Sequence, residues 1–273
     1  MHISDGILAP SVCVAGYVGA AGLVALGLRK SKDADVARTG ILTASFFLAS
    51  LVRVPVPGAS VHLMLASLNG IALGPLCFPS IFIALLLQAL LLGHGGVSSL
   101  GVNMVMMSVP AYLMGMVFHK SVKIKSGGGP FFAAGMIAVF ALAPKFTVDI
   151  LSAAGLSDFQ LSWPLTLVSG ALLGVALYFV IDKVVAPKPV FKQGFAAGAL
   201  SVIFSALVFF LVLRFAPLAG HITRTGFTEL ARIAFIMHLP VAVAEGIITA
   251  FLIKYLDTVV PGLLRAGGGS SES

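Results

Sequence analysis

Six histidines stand in an apolar chain of 273 residues, at positions 2, 62, 94, 119, 221 and 238. His2 is chemically distinctive because of where it lies. A free amine at Met1, the backbone nitrogen between residues 1 and 2, and the His2 ring can close fused chelate rings on one ion. Two residues then supply three nitrogens, and a fourth from elsewhere completes a tetragonal plane. His62, in the stretch Gly58-Ala-Ser-Val-His62, is the obvious fourth donor. Four nitrogens in a plane suit Ni(II) or Cu(II), and less readily Co(II). The same spacing also fits an exposed second residue and a hydrogen-bonded core histidine.

The remaining candidates have plainer readings. His238 and Glu245 are seven apart on one helix, hence on the same face, and read as an interhelical polar pair that fixes packing. His119 abuts Lys120 at a helix boundary, and His221 lies in a loop with Arg224. Cys13 and Cys77 sit in apolar segments and read as buried thiols outside any disulfide framework. The chain has no HExxH and no GxSxG. Its nearest approach to a phosphate loop, Gly22 to Gly27, is followed by Leu28 instead of Lys. If ATP drives any work here, another subunit hydrolyses it.

The elements that must position these residues are membrane helices. The composition is 59% hydrophobic and 10% charged, and mean hydropathy is +1.07. Soluble domains carry roughly 25% charged residues. No Asp, Glu, Lys or Arg occurs between Arg53 and Lys120, a run of 66 residues. That pattern excludes a soluble enzyme, a disordered tail and a nucleic-acid binder, and predicts an all-α, multi-pass helix bundle in a cell membrane. Apolar segments fall near 7–28, 39–52, 60–74, 76–92, 101–118, 131–150, 164–182, 193–215 and 230–255. The two short ones, 39–52 and 60–74, flank Arg53-Val-Pro-Val-Pro-Gly58, whose prolines forbid a regular helix. Broken backbone at membrane depth is tolerated where it lines a cavity.

Alternating nine segments with the N-terminus outside places twelve Lys and Arg residues inside and five outside. This predicts an N-out, C-in topology. Met1-His2-Ile3-Ser4-Asp5 has no positive region ahead of the apolar stretch, so a cleaved signal is not expected. Residues 1–265 read as one transmembrane domain, and 266–273 as a flexible tail. Lys145 and Asp149, four apart, read as a local pair.

The opening Met1-His2-Ile3-Ser4-Asp5-Gly6-Ile7-Leu8 resembles the start of the CbiM/NikM family, the substrate-binding membrane components of energy-coupling-factor transporters for cobalt and nickel. Three further blocks are similar, in the same order: Pro57-Gly-Ala-Ser-Val-His62 with Leu73-Gly-Pro75; Gln88 through His94 to Asn103; and His238-Leu-Pro240 to Glu245-Gly246. They cover residues 1–120 and about 190–264. The resemblance implies a metal held by the Met1 amine, the His2 backbone nitrogen and ring, and the His62 ring. Ser60, His94 and Asn103 are then hydrogen-bonding groups that orient the ligands. It further implies that Ni(II) or Co(II) is the transported substrate. A transmembrane coupling subunit and cytoplasmic ATPases are the implied partners, with membrane lipid around the bundle and no nucleic acid. The hairpin at 131–182 exceeds the family core of about seven helices, and stands either for a small accessory membrane subunit or as padding. The competing readings are a membrane-anchor or quinone-site subunit of a redox complex, with His238 and Glu245 handling protons, and an ATP-independent cation transporter.

Overall fold

Proline and glycine set where this chain bends, and apolar runs set where it crosses. The computed structural model describes residues 2–29, 31–56, 59–123, 129–140, 162–184, 189–220 and 224–260. Residues 2–9 form an irregular strap. Helix α1 (Pro10–Leu28) follows, with Pro10 at its first turn, where the missing N–H costs nothing. Helix α2 (Asp33–Ala49) starts on Asp33 and Asp35, and the Asp35 carboxylate accepts the Lys32 N–H at 3.1 Å. The proline-broken stretch is a two-stranded antiparallel hairpin, β1 (Arg53–Val56) and β2 (Ala59–His62), with Arg53 paired to His62 and Pro55 to Ser60. Pro57 and Gly58 lie outside the described residues.

The expected segment 60–74 is therefore a strand end followed by a short helix, α3 (Ala66–Leu73). All eight α3 residues are buried, which suits a helix enclosed by protein rather than by lipid. Gly74 takes φ +55°, Pro75 follows, and α4 (Cys77–Leu92) begins after one 3₁₀ turn. By length and composition residues 66–92 make one membrane-crossing stretch. The hydroxyl of Ser80 nevertheless donates to Asn69 Oδ1 at 2.8 Å. A straight helix would separate residues eleven apart by about 16 Å, so the chain doubles back at Gly74–Leu76. Thr43 of α2 extends this buried polar chain, with its hydroxyl 2.9 Å from Ser80.

Helix α5 (Leu100–Lys123) packs on α1, α3 and α4. Its Gly115 opposes Gly70 of α3 so closely that a Cβ there would lie 2.4 Å from the Gly70 carbonyl oxygen. Helices α6 (Gly129–Phe140) and α7 (Trp163–Val184) are the described parts of the extra hairpin; Lys145 and Asp149 lie outside the described residues, as does the 266–273 tail. Helices α8 (Pro189–Phe215) and α9 (Arg224–Val259) form the closest pair in the bundle. Small residues interlock them: a Cβ at Gly198 would lie 2.7 Å from the Glu245 carbonyl oxygen, and one at Gly246 would meet Phe195. Close backbone approach of this kind drives helix association in lipid. Six of the described stretches are long and apolar enough to cross a membrane, and α2 is not among them.

Candidate metal centre

The strap is where the sequence reading concentrates, and it is tied down at both ends. The Ile3 N–H donates to Asn103 Oδ1 at 2.8 Å, and Asn103 Nδ2 donates to the Ile3 carbonyl at 2.9 Å. One carboxamide on α5 thus pairs with the backbone of residue 3 as a neighbouring strand would. The Ser99 hydroxyl donates to the same carbonyl. Asp5 accepts the N–H groups of Val97 (3.0 Å), Ser98 (2.8 Å) and Ser99 (3.3 Å), and the Ser98 hydroxyl. These amides lead into α5, where N–H groups lack helical partners and favour a carboxylate. The Ser98 hydroxyl, helped by the amides, holds the Asp5 carboxyl below its ordinary value. At the other end the Ala9 N–H donates to Pro217 O and the Ala219 N–H to Ile7 O, both at 3.0 Å.

The glycines around His94 make room for this strap. Gly93 and Gly95 have φ of +62° and +74°, which only glycine adopts without strain. A Cβ on Gly95 would lie 3.2 Å from His2 Cβ, and one on Gly96 would lie 2.0 Å from an Asp5 carboxylate oxygen.

His62 arrives from the hairpin. Its Nδ1 lies 3.0 Å from the Leu63 carbonyl oxygen. That carbonyl holds the proton on Nδ1, as an accepting group commonly does for a ligating histidine. Just beyond, the chain enters the left-handed region at Leu65 (φ +52°) and starts α3 without a local side-chain cap. Glu245 of α9 takes that role from across the bundle: its carboxylate accepts the Met64 N–H, and the Leu65 N–H at 2.9 and 3.0 Å.

These ties bring three rings together. His2 and His62 stack with centroids 4.9 Å apart and planes 16° from parallel. His94 stacks beside both, at 6.2 Å from His2 and 6.0 Å from His62. His2 Nε2 is buried, with no hydrogen-bond partner among the described residues. Burial is the main reason that the His2 ring titrates well below its ordinary value, reinforced by the charge of the amino terminus and by the neighbouring rings. Burial likewise drives His62 down to about 2. His238 is buried at 3% exposure, and its charge adds to the lowering at both rings. The lowered values of His2 and His62 favour their neutral form, the protonation state in which imidazole binds metal.

The donor set fits a nitrogen chelate better than a side-chain cage. Among the described residues no three His, Cys, Asp or Glu side chains form a ready ligand group. Two imidazoles with backbone nitrogens need none. Met1 lies outside the described residues, and Ser60 is placed only by its backbone in β2. Asn103 and His94 stand beside His2, where the sequence reading puts them. His119 binds the Ile71 carbonyl at 2.8 Å, away from the cluster, and His221 lies outside the described residues. Sequence reasoning missed Asp5 and Ser99. The signal for both was present in Ser98-Ser99 ahead of an apolar run, a helix-start signature that calls for an acidic partner.

Known proteins share this architecture. The family model described as "Cobalt uptake substrate-specific transmembrane region" matches residues 2–176 and 165–263. A cobalt transport protein CbiM of Propionibacterium freudenreichii is 30% identical over 189 residues, covering 66% of this chain and 76% of that protein. One from Geobacter sulfurreducens is 34% identical over 153 residues, covering 52% of this chain and 44% of the relative. A Haemophilus influenzae protein provisionally named for metal transport is 40% identical over 119 residues, 44% of this chain and 58% of that protein. The match thus spans about half the length of two of these three relatives. A crystal structure of a transition metal transporter superposes with a TM-score of 0.51 at 23% identity, covering 95% of this chain and 93% of that one, a likeness of fold. With a multi-pass helix bundle and a family match over nearly its whole length, the chain belongs to the CbiM family of transmembrane metal-transport components.

Proposed function

We propose that this chain captures divalent nickel or cobalt on the outer side of the membrane, using the Met1 amine, the His2 backbone nitrogen and ring, and the His62 ring as ligands. One observation carries the reading: the His2 ring, positioned by Asn103 through Ile3, stacks on His62 with centroids 4.9 Å apart, and its Nε2 is buried with no hydrogen-bond partner among the described residues. In this reading Asn103, His94 and Ser60 orient the ligands, and an N-out topology, expected from the distribution of Lys and Arg, would leave the cluster on the outer face. Delivery inward then requires a transmembrane coupling subunit and cytoplasmic ATPases, since the sequence has no phosphate loop. The hairpin near 131–182 then stands either in place of a small accessory subunit or as padding of the bundle.

The test is titration of the purified chain with Ni(II) and Co(II), with its native N-terminus and with one residue added ahead of Met1. The extension converts the amine to an amide and moves the free amine out of register. Tight binding is expected only for the native terminus. Equal affinity for the extended chain would overturn the chelate.

A further inference from the structure

Glu245 sits in the middle of the bundle's last helix, far along the chain from His62, and no metal ligation is asked of it. Its carboxylate holds the Met64 and Leu65 N–H groups, immediately beyond His62, and is itself 1% exposed. Resting on the metal site proposed above, we infer that Glu245 is the positioning residue that sets His62 against His2 and so decides whether the fourth nitrogen reaches the ion.

Three features support this assignment. The backbone at Leu65 is left-handed (φ +52°), so the link between β2 and α3 follows no regular ladder and needs an outside tie to hold its direction. The tie is stiff at its source: a Cβ at Gly198 would lie 2.7 Å from the Glu245 carbonyl oxygen, so α8 and α9 meet at backbone contact at this very residue. The opposing ligand has its own separate tie, since His2 is set through Ile3 by Asn103 on α5. The distance between the two rings is therefore set by two side chains on two different helices, Asn103 and Glu245. The Ser67–Thr249 hydroxyl contact at 3.2 Å joins α3 to α9 one turn beyond Glu245 and supplies a control, since it does not touch the His62 link.

The experiment uses the full chain with its native N-terminus and Cu(II) as the spectroscopic probe of a planar nitrogen site. Glu245→Gln keeps the volume but replaces one acceptor oxygen with a donor that faces the Leu65 region. Cu(II) affinity is expected to fall about 10- to 100-fold, the range for groups that orient a ligand. The electron paramagnetic resonance spectrum should change to that of His62→Ala. On the His62→Ala background the same substitution should change affinity less than about threefold, because the ligand it positions is gone. Thr249→Ala should keep the wild-type spectrum. A four-nitrogen spectrum unchanged in Glu245→Gln would overturn the assignment. So would an equal loss on both backgrounds, the mark of a general structural role. Should the variant fail to fold, hydrogen exchange of the Met64 and Leu65 amides in the unaltered chain decides: protection equal to the helix cores supports the tie, and free exchange overturns it. If His62→Ala binds Cu(II) as the unaltered chain does, the metal site itself is misassigned, while protected amides would still stand.

Discussion

At Asp5 a single carboxylate closes the turn that leads into α5, through three backbone amides and the Ser98 hydroxyl. Its folded-state value is depressed, so its contribution is full above the ordinary carboxylate range and is lost as pH falls through the lower folded value. Asp5→Asn should therefore cost about 1 kcal/mol at neutral pH, the scale of a lost helix cap. The cost should disappear in strong acid, where the native carboxyl is itself protonated. Melting temperatures in detergent across a pH series check this, and parallel curves for the two proteins would count against it. His2 was legible in the sequence because its meaning depends on position alone. Glu245 was not: its spacing to His238 can be read along one helix, but its partners at Met64 and Leu65 are set by how α9 docks on α3. No periodicity carries that information.

At the scale of elements, α3 does the most with the least length. It is enclosed on every residue and meets α5 at a point where a Cβ on Gly70 would lie 1.9 Å from the Ala111 carbonyl oxygen. Backbone cannot yield as a flexible side chain can. Gly70→Ala is expected to lower the melting temperature sharply, with a cost of at least 1–3 kcal/mol for overpacking. Gly22→Ala, where the added carbon meets nothing within 4 Å, should be neutral or mildly stabilising. Similar melting for the two variants would mean that α3 and α5 are less closely seated than described. The long helices α5, α8 and α9 were readable as apolar runs. The fold-back at Gly74–Leu76 was only half readable, because glycine and proline announce a break but not the angle the chain takes after it.

At the scale of the molecule, the proposed metal centre joins the two blocks that carry the family resemblance. His2, His62, His94 and Asn103 come from the first, and Glu245 and His238 from the second. The hairpin helices α6 and α7 pack on one another and α6 leans on α8, and their described residues supply nothing to the ring cluster. On the proposed reading the chain captures an ion and relies on partner subunits to move it. Reconstituted alone in liposomes it should retain Ni(II) or Co(II) and move none across. Flux from the chain alone would make it an autonomous carrier instead. The multi-pass architecture followed from composition, whereas the meeting of the two blocks at one end of the bundle is a property of packing.

The tie from Glu245 to the His62 link also carries a schedule. A ribosome delivers the N-terminal end first, so His2, His62, His94 and Asn103 are all in place before α9 has been made. The amides of Met64 and Leu65 acquire their buried acceptor only when residue 245 emerges and α9 docks against α8. A half-made chain in the membrane thus carries every histidine of the ring stack while lacking the proposed brace, and on this reading metal capture waits for the final helix.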